Sequence, residues 1–271
     1  MIRNPLRSGL TALLLVVSSL SVAAAPDRFG ESVERARLVD TLSLRGELFH
    51  VQGLEMDDRR IWVTSVDRLR GRGFLHEFDR ADGTLLRRVE LTEGARYHPG
   101  GISLSGASIW VPLSEVQPNG SATLVESAKD TLETRRRIPV DDHLGCVAAT
   151  DTTLVAGNWN SELLYVFDLV DPARRRVIRN SSGTQYQDMK FRDGALVASG
   201  TRGWLNGAID WIDWPSGTVS RTRRAGAVGP LRPLGRGGPF TGEGMAIDGS
   251  DLYLLPEDGP SRLFHFRLDD D

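Results

Sequence analysis

Three histidines occupy matching positions in the sequence, each eleven residues before a short apolar segment. They are His50, His98 and His143, and the apolar segments begin at Ile61, Ile109 and Leu154. Three imidazole nitrogens can hold one metal ion and leave positions open for water or a substrate, an arrangement suited to hydrolysis. One interpretation is therefore that the three histidines hold a divalent metal ion, and the sequence leaves the cofactor itself unidentified. The alternative is that each imidazole only caps a neighbouring backbone.

The apolar segments that position these histidines recur five times along the chain. They start at Ile61, Ile109, Leu154, Leu196 and Leu252, with spacings of 48, 45, 42 and 56 residues. An alternating segment precedes each of them and two more follow, except that the fifth repeat stops after its third strand. Four short strands at a period near 45, with Asp-Gly turns, are typical of a propeller blade. We predict an all-β, five-bladed β-propeller with four antiparallel strands per blade.

The unassigned strand at residues 37–44 completes this count. Placed as the outermost strand of the last blade, it closes the ring and removes the open edges of a partial blade. We predict a signal peptide at residues 1–25, which carry Arg3 and Arg7, an apolar run and small residues at the end. A leader follows at residues 26–36, and the propeller is one domain of residues 37–271. The apolar run is too short for a membrane span, so none is expected in the mature chain, which would be periplasmic or secreted.

Propeller geometry brings further polar residues to the end of the channel where the inner strands begin. These are predicted to bind a ligand: Gln52, Glu115, Trp159, Asn160, Gln185, Gln187, Arg202 and Glu257. Glu243 is the predicted general base, and Asp188 is expected to bond backbone amides instead. The insertion of residues 221–240 before the fifth blade is predicted to form a lid, from which Arg232 or Arg236 draws in an anionic ligand. A solvated surface loop is the alternative.

Composition and missing motifs exclude several function classes. Without residues 1–25 the chain has 31 basic and 36 acidic side chains, a net charge of -5, so nucleic acid is not an expected partner. Cys146 is the only cysteine, which excludes an intramolecular disulfide and predicts a buried, inert thiol. No Gly-x-Ser-x-Gly, His-Glu-x-x-His, Cys-x-x-Cys or phosphate-loop pattern follows the signal peptide.

Several segments together resemble a family of secreted bacterial β-propellers with no assigned activity. They are the signal peptide, "YHPGGISLSGASIWVPLSE", "DDHLGC", "YQDM" and "LYLLPED", and the resemblance covers residues 37–271. It implies the fold and the compartment but no catalytic residue. The chain is also distantly similar to lactonase and gluconolactonase propellers. Those have six blades and hold calcium with carboxylate and asparagine ligands that have no match here.

Two functions remain open, because fold alone does not decide between them. The first is a propeller that binds a small ligand at the channel mouth, an anion being one option, or another protein of the cell envelope. The second is a metal-assisted hydrolase or lactonase that uses the three histidines. The absence of a known catalytic motif favours the first, and the matching histidine positions favour the second.

Overall fold

The computed structural model describes residues 33–229, 237–259 and 261–269, which form twenty-three strands and no helix. The first strand is β1 (Ala36–Ser43). Blade 1 follows with β2 (His50–Met56), β3 (Arg60–Asp67), β4 (Arg72–Asp79) and β5 (Leu85–Glu90). Blade 2 contains β6 (His98–Pro99), β7 (Ser103–Ser105), β8 (Ser108–Ser114), β9 (Ala122–Ala128) and β10 (Thr134–Val140). Blade 3 contains β11 (Leu144–Ala149), β12 (Thr153–Asn158), β13 (Leu163–Asp168) and β14 (Arg175–Arg179).

Blade 4 contains β15 (Gln185–Arg192), β16 (Ala195–Thr201), β17 (Gly207–Asp213) and β18 (Thr218–Ala225). A small hairpin of β19 (Ala227–Gly229) and β20 (Gly238–Pro239) follows it. Blade 5 contains β21 (Gly244–Asp248), β22 (Asp251–Leu255) and β23 (Arg262–Leu268). Each blade is an antiparallel sheet in which consecutive strands are neighbours, except that β6 and β7 of blade 2 both pair with β8, and the innermost strands surround a common axis. The predicted five-bladed propeller is confirmed.

The ring closes as the sequence predicts. Strand β1 pairs antiparallel with β23, from Ala36 opposite Leu268 to Ser43 opposite Arg262, and so supplies the fourth strand of blade 5. The chain just before β1 also contacts the propeller, because Val33 is buried and bridges to Ala225 of blade 4. The two ends of the chain therefore stabilise the same junction between blades 4 and 5.

The second strand of every blade is apolar on both faces because every blade packs between two others. In β3, Ile61 and Val63 belong to the apolar cluster shared with blade 5, whereas Trp62 belongs to the cluster shared with blade 2. Five such clusters fill the five junctions between neighbouring blades. The expected core positions of Trp62 and Trp110 are confirmed, since each is 1% exposed.

Close approach of backbones at the axis explains the small residues of the inner strands. A Cβ atom on Gly100 would lie 2.0 Å from the carbonyl oxygen of Gly145. The inner strand of blade 2 is interrupted here, between β6 and β7. In this gap the amide of Gly101 donates to Gly145 O at 2.9 Å, and Val147 N donates to Gly101 O at 3.0 Å. Only glycine permits this contact between blades 2 and 3.

Candidate functional site at the channel mouth

A cavity of about 440 Å³ opens at the end of the channel where the inner strands begin, and all five blades contribute to its wall. The inner-strand ends supply three histidines, three glutamines and a glutamate, namely His50, His98, His143, Gln52, Gln185, Gln187 and Glu243. The loops after the second strands supply Arg68, Trp159, Trp204 and Glu257. The propeller register thus brings the three histidines, Glu243 and five of the ten predicted ligand-binding residues into one cavity, which we call the mouth cavity.

The imidazoles of His98 and His143 are neighbours in this cavity. Their ring centroids are 5.9 Å apart, and His143 also makes an edge contact with Trp159 at 4.5 Å. Burial, with smaller contributions from His143 and His50, lowers the pKa of His98 to about 3. Burial also lowers the pKa of His143. Both rings are therefore neutral at neutral pH and can offer a nitrogen lone pair.

Backbone hydrogen bonding fixes the orientation of His143. Its Nδ1 lies 2.8 Å from the carbonyl oxygen of Glu115, which can only accept, so Nδ1 carries the proton and Nε2 does not. The buried Nδ1 of His98 has no hydrogen-bond partner within the described chain. A buried polar atom in that state calls for a ligand or a water molecule.

The third histidine lies between two carboxylates. Nδ1 of His50 is 2.7 Å from Glu257 Oε1, and its Nε2 is 3.9 Å from Glu243 Oε1. Among the described residues, one group of histidine, cysteine and acidic side chains has its ligand atoms all within 4.8 Å of one another, and it is His50, Glu243 and Glu257. His98 and His143 are not members of it. The predicted three-histidine metal site therefore shares one residue with the group that has metal-ligand spacing.

Two predicted ligand-binding residues lie in the loops but not in the wall of the mouth cavity. The carboxylate of Glu115 accepts hydrogen bonds from Gln117 Nε2 at 2.8 Å and Ser121 Oγ at 2.9 Å. Asn160 Oδ1 accepts from the amide of Glu162 at 3.3 Å. Both side chains stabilise the turns that they begin, the usual role of such residues directly after a strand.

Arg202 lies beside the mouth cavity, in a hollow of about 340 Å³ that it shares with Gln185, Gln187 and Trp204. Its guanidinium donates to Thr184 Oγ1 at 2.8 Å and contacts Asp210 Oδ1 at 3.3 Å. Its charge is therefore compensated by a buried carboxylate. The predicted lid residues Arg232 and Arg236 fall outside the described residues, so the lid stays a prediction. Directly after Arg236 in the sequence, the amide of Gly237 donates to the carbonyl oxygen of Glu257 at 3.3 Å.

The sequence reasoning missed Arg68 and Trp204 as cavity residues. Both follow a second strand, as Trp159 does, and Trp204 is 59% exposed while Trp159 is 42% exposed. The signal for Trp204 in the sequence is a large aromatic residue in the polar loop "TRGW", which indicates a binding surface. The two tryptophans offer flat apolar surfaces to a ligand in the mouth cavity.

Below the mouth cavity the axis is filled by a buried ion pair. Asp188 follows Gln187 on β15, is 0% exposed and lies 2.6 Å from Lys190 Nζ. It accepts hydrogen bonds from the amides of Leu54 and Met245, each at 3.0 Å, and from that of Met189 at 2.9 Å. Burial raises the pKa of Asp188 to about 6, although Lys190 opposes the shift. The expected role of Asp188 as a backbone partner is confirmed.

The thiol of Cys146 is also part of the interior. It is 0% exposed, and burial raises its pKa to about 12, so it stays protonated and unreactive at neutral pH. The prediction of an inert thiol is confirmed. Within the described residues no helix is long and apolar enough to cross a membrane.

Comparison with known proteins supports the fold. A model described as "Family of unknown function (DUF6454)" matches residues 22–192. The chain is similar to the glutaminyl cyclase of Myxococcus xanthus, with a TM-score of 0.62 and 15% identity over 88% of this chain and 99% of that chain. No curated protein matches the sequence. The resemblance to a propeller family without assigned activity is confirmed.

Two weaker structural similarities complete the comparison. The WD40 domain of Neurospora crassa Pan2 gives a TM-score of 0.48 and 8% identity, over 90% of this chain and 98% of that chain. A chain of a mitotic checkpoint complex gives 0.49 and 12%, over 96% of this chain and 99% of that chain.

Proposed function

The chain belongs to the family of unknown function DUF6454, and we propose that it binds a small polar molecule in the mouth cavity of its propeller. The observation that carries this proposal is the cavity itself. Its volume of about 440 Å³ falls in the range of small-molecule sites, and its wall combines aromatic surfaces with convergent polar groups from five blades.

The chemistry of the wall favours a ligand that donates hydrogen bonds. The charged side chains that line the described cavity are two carboxylates, Glu243 and Glu257, and one guanidinium, Arg68. The neutral imidazoles and glutamine carbonyls add acceptors. An anionic ligand was expected from Arg202, which instead pairs with Asp210, and from Arg232 and Arg236, which are not described. We therefore propose an amine or an amide as the recognised group.

Fluorescence titration tests this proposal, because Trp159 and Trp204 both lie in the cavity wall. The mature chain would be titrated with three sets of compounds: small amines, amides including a peptide that begins with glutamine, and carboxylates. The peptide is included because one of the similar solved structures is a glutaminyl cyclase. We expect saturable quenching by an amine or amide, weakened at least about 10-fold in Gln187→Ala, which removes one cavity amide.

Trp214→Phe is the matched control, since Trp214 packs against Phe191 away from the mouth cavity. Its titration should equal that of the unmodified chain. Saturable binding of carboxylates alone would restore the anionic ligand of the sequence prediction. If no compound of any set gives saturable quenching, the binding proposal is wrong.

A metal-assisted hydrolase or lactonase is the second candidate. The observation that favours it is the metal-ligand spacing of His50, Glu243 and Glu257 beside neutral imidazoles. In such a reaction water adds to the ester carbonyl, the bond from carbon to the ring oxygen breaks, and that oxygen takes up a proton. The assay is hydrolysis of a lactone and an aryl ester with and without added Zn²⁺. Equal rates in protein and buffer exclude this candidate.

We also propose that the protein works outside the cytoplasm, in the periplasm or the medium. The support is the sequence of residues 1–25, with two arginines before an apolar run and small residues at its end. Cell fractionation with mass spectrometry of the N-terminus tests this. An intact Met1 in the cytoplasmic fraction would refute it.

A further inference from the structure

We infer that His50, Glu243 and Glu257 form a binding site for one divalent transition-metal ion, with Zn²⁺ as the best match. This group keeps His50 from the predicted three-histidine site and has Glu243 and Glu257 in place of His98 and His143. The inference shares the mouth cavity and the carboxylates of Glu243 and Glu257 with the proposed function, so a bound metal would leave an amide, and not a cationic amine, as the recognised group. It needs no knowledge of the ligand.

The spacing of the donor atoms is the first argument. One nitrogen of His50 and one oxygen of each glutamate lie within 4.8 Å of one another. Donors bonded to one Zn²⁺ at about 2.0 to 2.2 Å must lie within roughly 4 Å of each other, so small rotations of the side chains suffice.

The orientation of His50 is the second argument. Its Nδ1 is buried and only 2.7 Å from Glu257 Oε1, yet the two atoms are not aligned as a hydrogen bond. The Nδ1 atom of His50 therefore has no hydrogen-bond partner within the described chain, and a cation beside it would satisfy this buried atom.

The fold holds the three donors in place. His50 begins β2, and Glu243 immediately precedes β21, so both lie at the ends of inner strands in adjacent blades. Their side chains are 11% and 8% exposed. Glu257 lies in the loop after β22, and its carbonyl oxygen accepts from Gly237 N. Because ring closure makes blades 5 and 1 neighbours, residues far apart in sequence meet there.

The donor set favours zinc over the larger alkaline-earth ions. One imidazole nitrogen and two carboxylate oxygens are typical ligands of Zn²⁺, whereas Ca²⁺ requires six to eight oxygen donors. Three protein ligands leave a coordination position for a water molecule or a ligand in the mouth cavity. His98 and His143 lie outside the 4.8 Å group but in the same cavity wall, so they would contact that molecule rather than the metal.

Calorimetry of the mature chain, made without an affinity tag and treated with EDTA, tests the inference with ZnCl₂ as the titrant. We expect one equivalent of Zn²⁺ per chain. The isosteric variants Glu243→Gln and Glu257→Gln should each weaken binding more than about 100-fold, beyond the loss typical of residues that only support a ligand. His50→Ala should do the same.

His265→Ala is the matched control, because His265 also lies between carboxylates, 2.6 Å from Asp251 and 3.5 Å from Asp40, outside the metal group. It should keep the full equivalent of Zn²⁺. Thermal melts of the metal-free proteins show whether each variant folds. If Glu243→Gln does not fold, the variant Glu257→Gln, whose side chain is more exposed, carries the test. The visible spectrum of the unmodified chain loaded with Co²⁺ independently shows which types of donor atom bind the metal.

The absence of a stoichiometric Zn²⁺ equivalent in the unmodified chain overturns the inference. Unchanged affinity in all three site variants overturns it as well, and so does an equal loss in His265→Ala. The fluorescence titration repeated in EDTA separates the two proposals. Quenching that persists when zinc does not bind leaves the binding function standing and removes only the metal.

Discussion

The buried pair at the axis gives the sharpest prediction for stability, the substitution Asp188→Asn. The carboxylate accepts four hydrogen bonds, from Lys190 Nζ and from the amides of Leu54, Met189 and Met245. An asparagine keeps one oxygen and presents two N–H groups, so at least one buried amide donor faces another donor. Lys190, at 1% exposure, would also lose its counterion.

The magnitude follows from these two losses. Removing one partner of a buried ion pair costs about 3 to 5 kcal/mol, and each buried amide left unpaired costs about 1 to 3 kcal/mol. Allowing for relaxation, we expect Asp188→Asn to lower the free energy of unfolding by about 4 kcal/mol. In a domain of this size that corresponds to a fall in Tm of about 8 to 16 °C.

The companion variant Lys190→Met checks the electrostatic part of the reasoning. Asp188 would lose the cation that opposes the rise in its pKa, so its folded pKa would rise further above the ordinary value. A raised acid pKa favours the folded state at low pH and disfavours it as the pH rises through that pKa. The destabilisation by Lys190→Met should therefore be smaller at pH 5 than at pH 8.

Thermal and urea unfolding of both single variants and the double variant supply the assay. The double variant should lose less than the sum of the single losses, because it leaves no isolated charge. A loss below about 1 kcal/mol for Asp188→Asn, or additive losses in the cycle, would refute the account of the pair.

Three further predictions concern ring closure, acid stability and packing at the axis. Deleting residues 36–43 should cause aggregation or unfolding in size-exclusion chromatography, because β23 loses its outer partner; a monomeric, equally stable product would contradict this. Burial lowers the pKa of His76 to about 3, so this residue alone should contribute a fall in stability of about 3 kcal/mol from pH 7 to pH 4, as the unfolded chain takes up the proton. His76→Phe should reduce the pH dependence of thermal melts by about that amount, and an unchanged slope would contradict the prediction. Gly100→Ala should cost about 1 to 3 kcal/mol in urea unfolding, because its Cβ would lie 2.0 Å from Gly145 O; an unchanged midpoint would show that the backbone adapts.

The sequence predicted the blades because strand alternation and the repeat period carry that information directly. Each strand that the apolar segments predict begins one residue before its predicted start, as β3 does at Arg60 and β22 at Asp251. The N-terminal strand was predicted from the same count, since a fifth repeat with three strands requires a fourth from elsewhere. Repeat geometry also brought the three histidines and Glu243 to the wall of the mouth cavity, but it did not do so for Glu115, Asn160 and Arg202.

The directions of the side chains could not be predicted from that count. The repeat makes His50, His98 and His143 equivalent positions. Of these three, only His50 lies between two carboxylates, because it stands at the junction where the ring closes. Glu115 and Asn160 stand at equivalent loop positions and bond within their own turns instead. These outcomes depend on rotamers and on contacts between blades, which the period of the repeat does not contain.

The filled axis also determines how a molecule can reach the site. Leu54, Asp188 and Met245 on inner strands, and Ile102 between β6 and β7, are all 0% exposed below the mouth cavity, so within the described residues the channel is not an open pore. A ligand must then enter and leave through the mouth, past the loops that follow the second strands. Changes at the axis should act on stability, and changes at the mouth should act on binding with little effect on stability. Loss of binding without loss of stability in the mouth variants is therefore the pattern that a site at this end of the propeller requires.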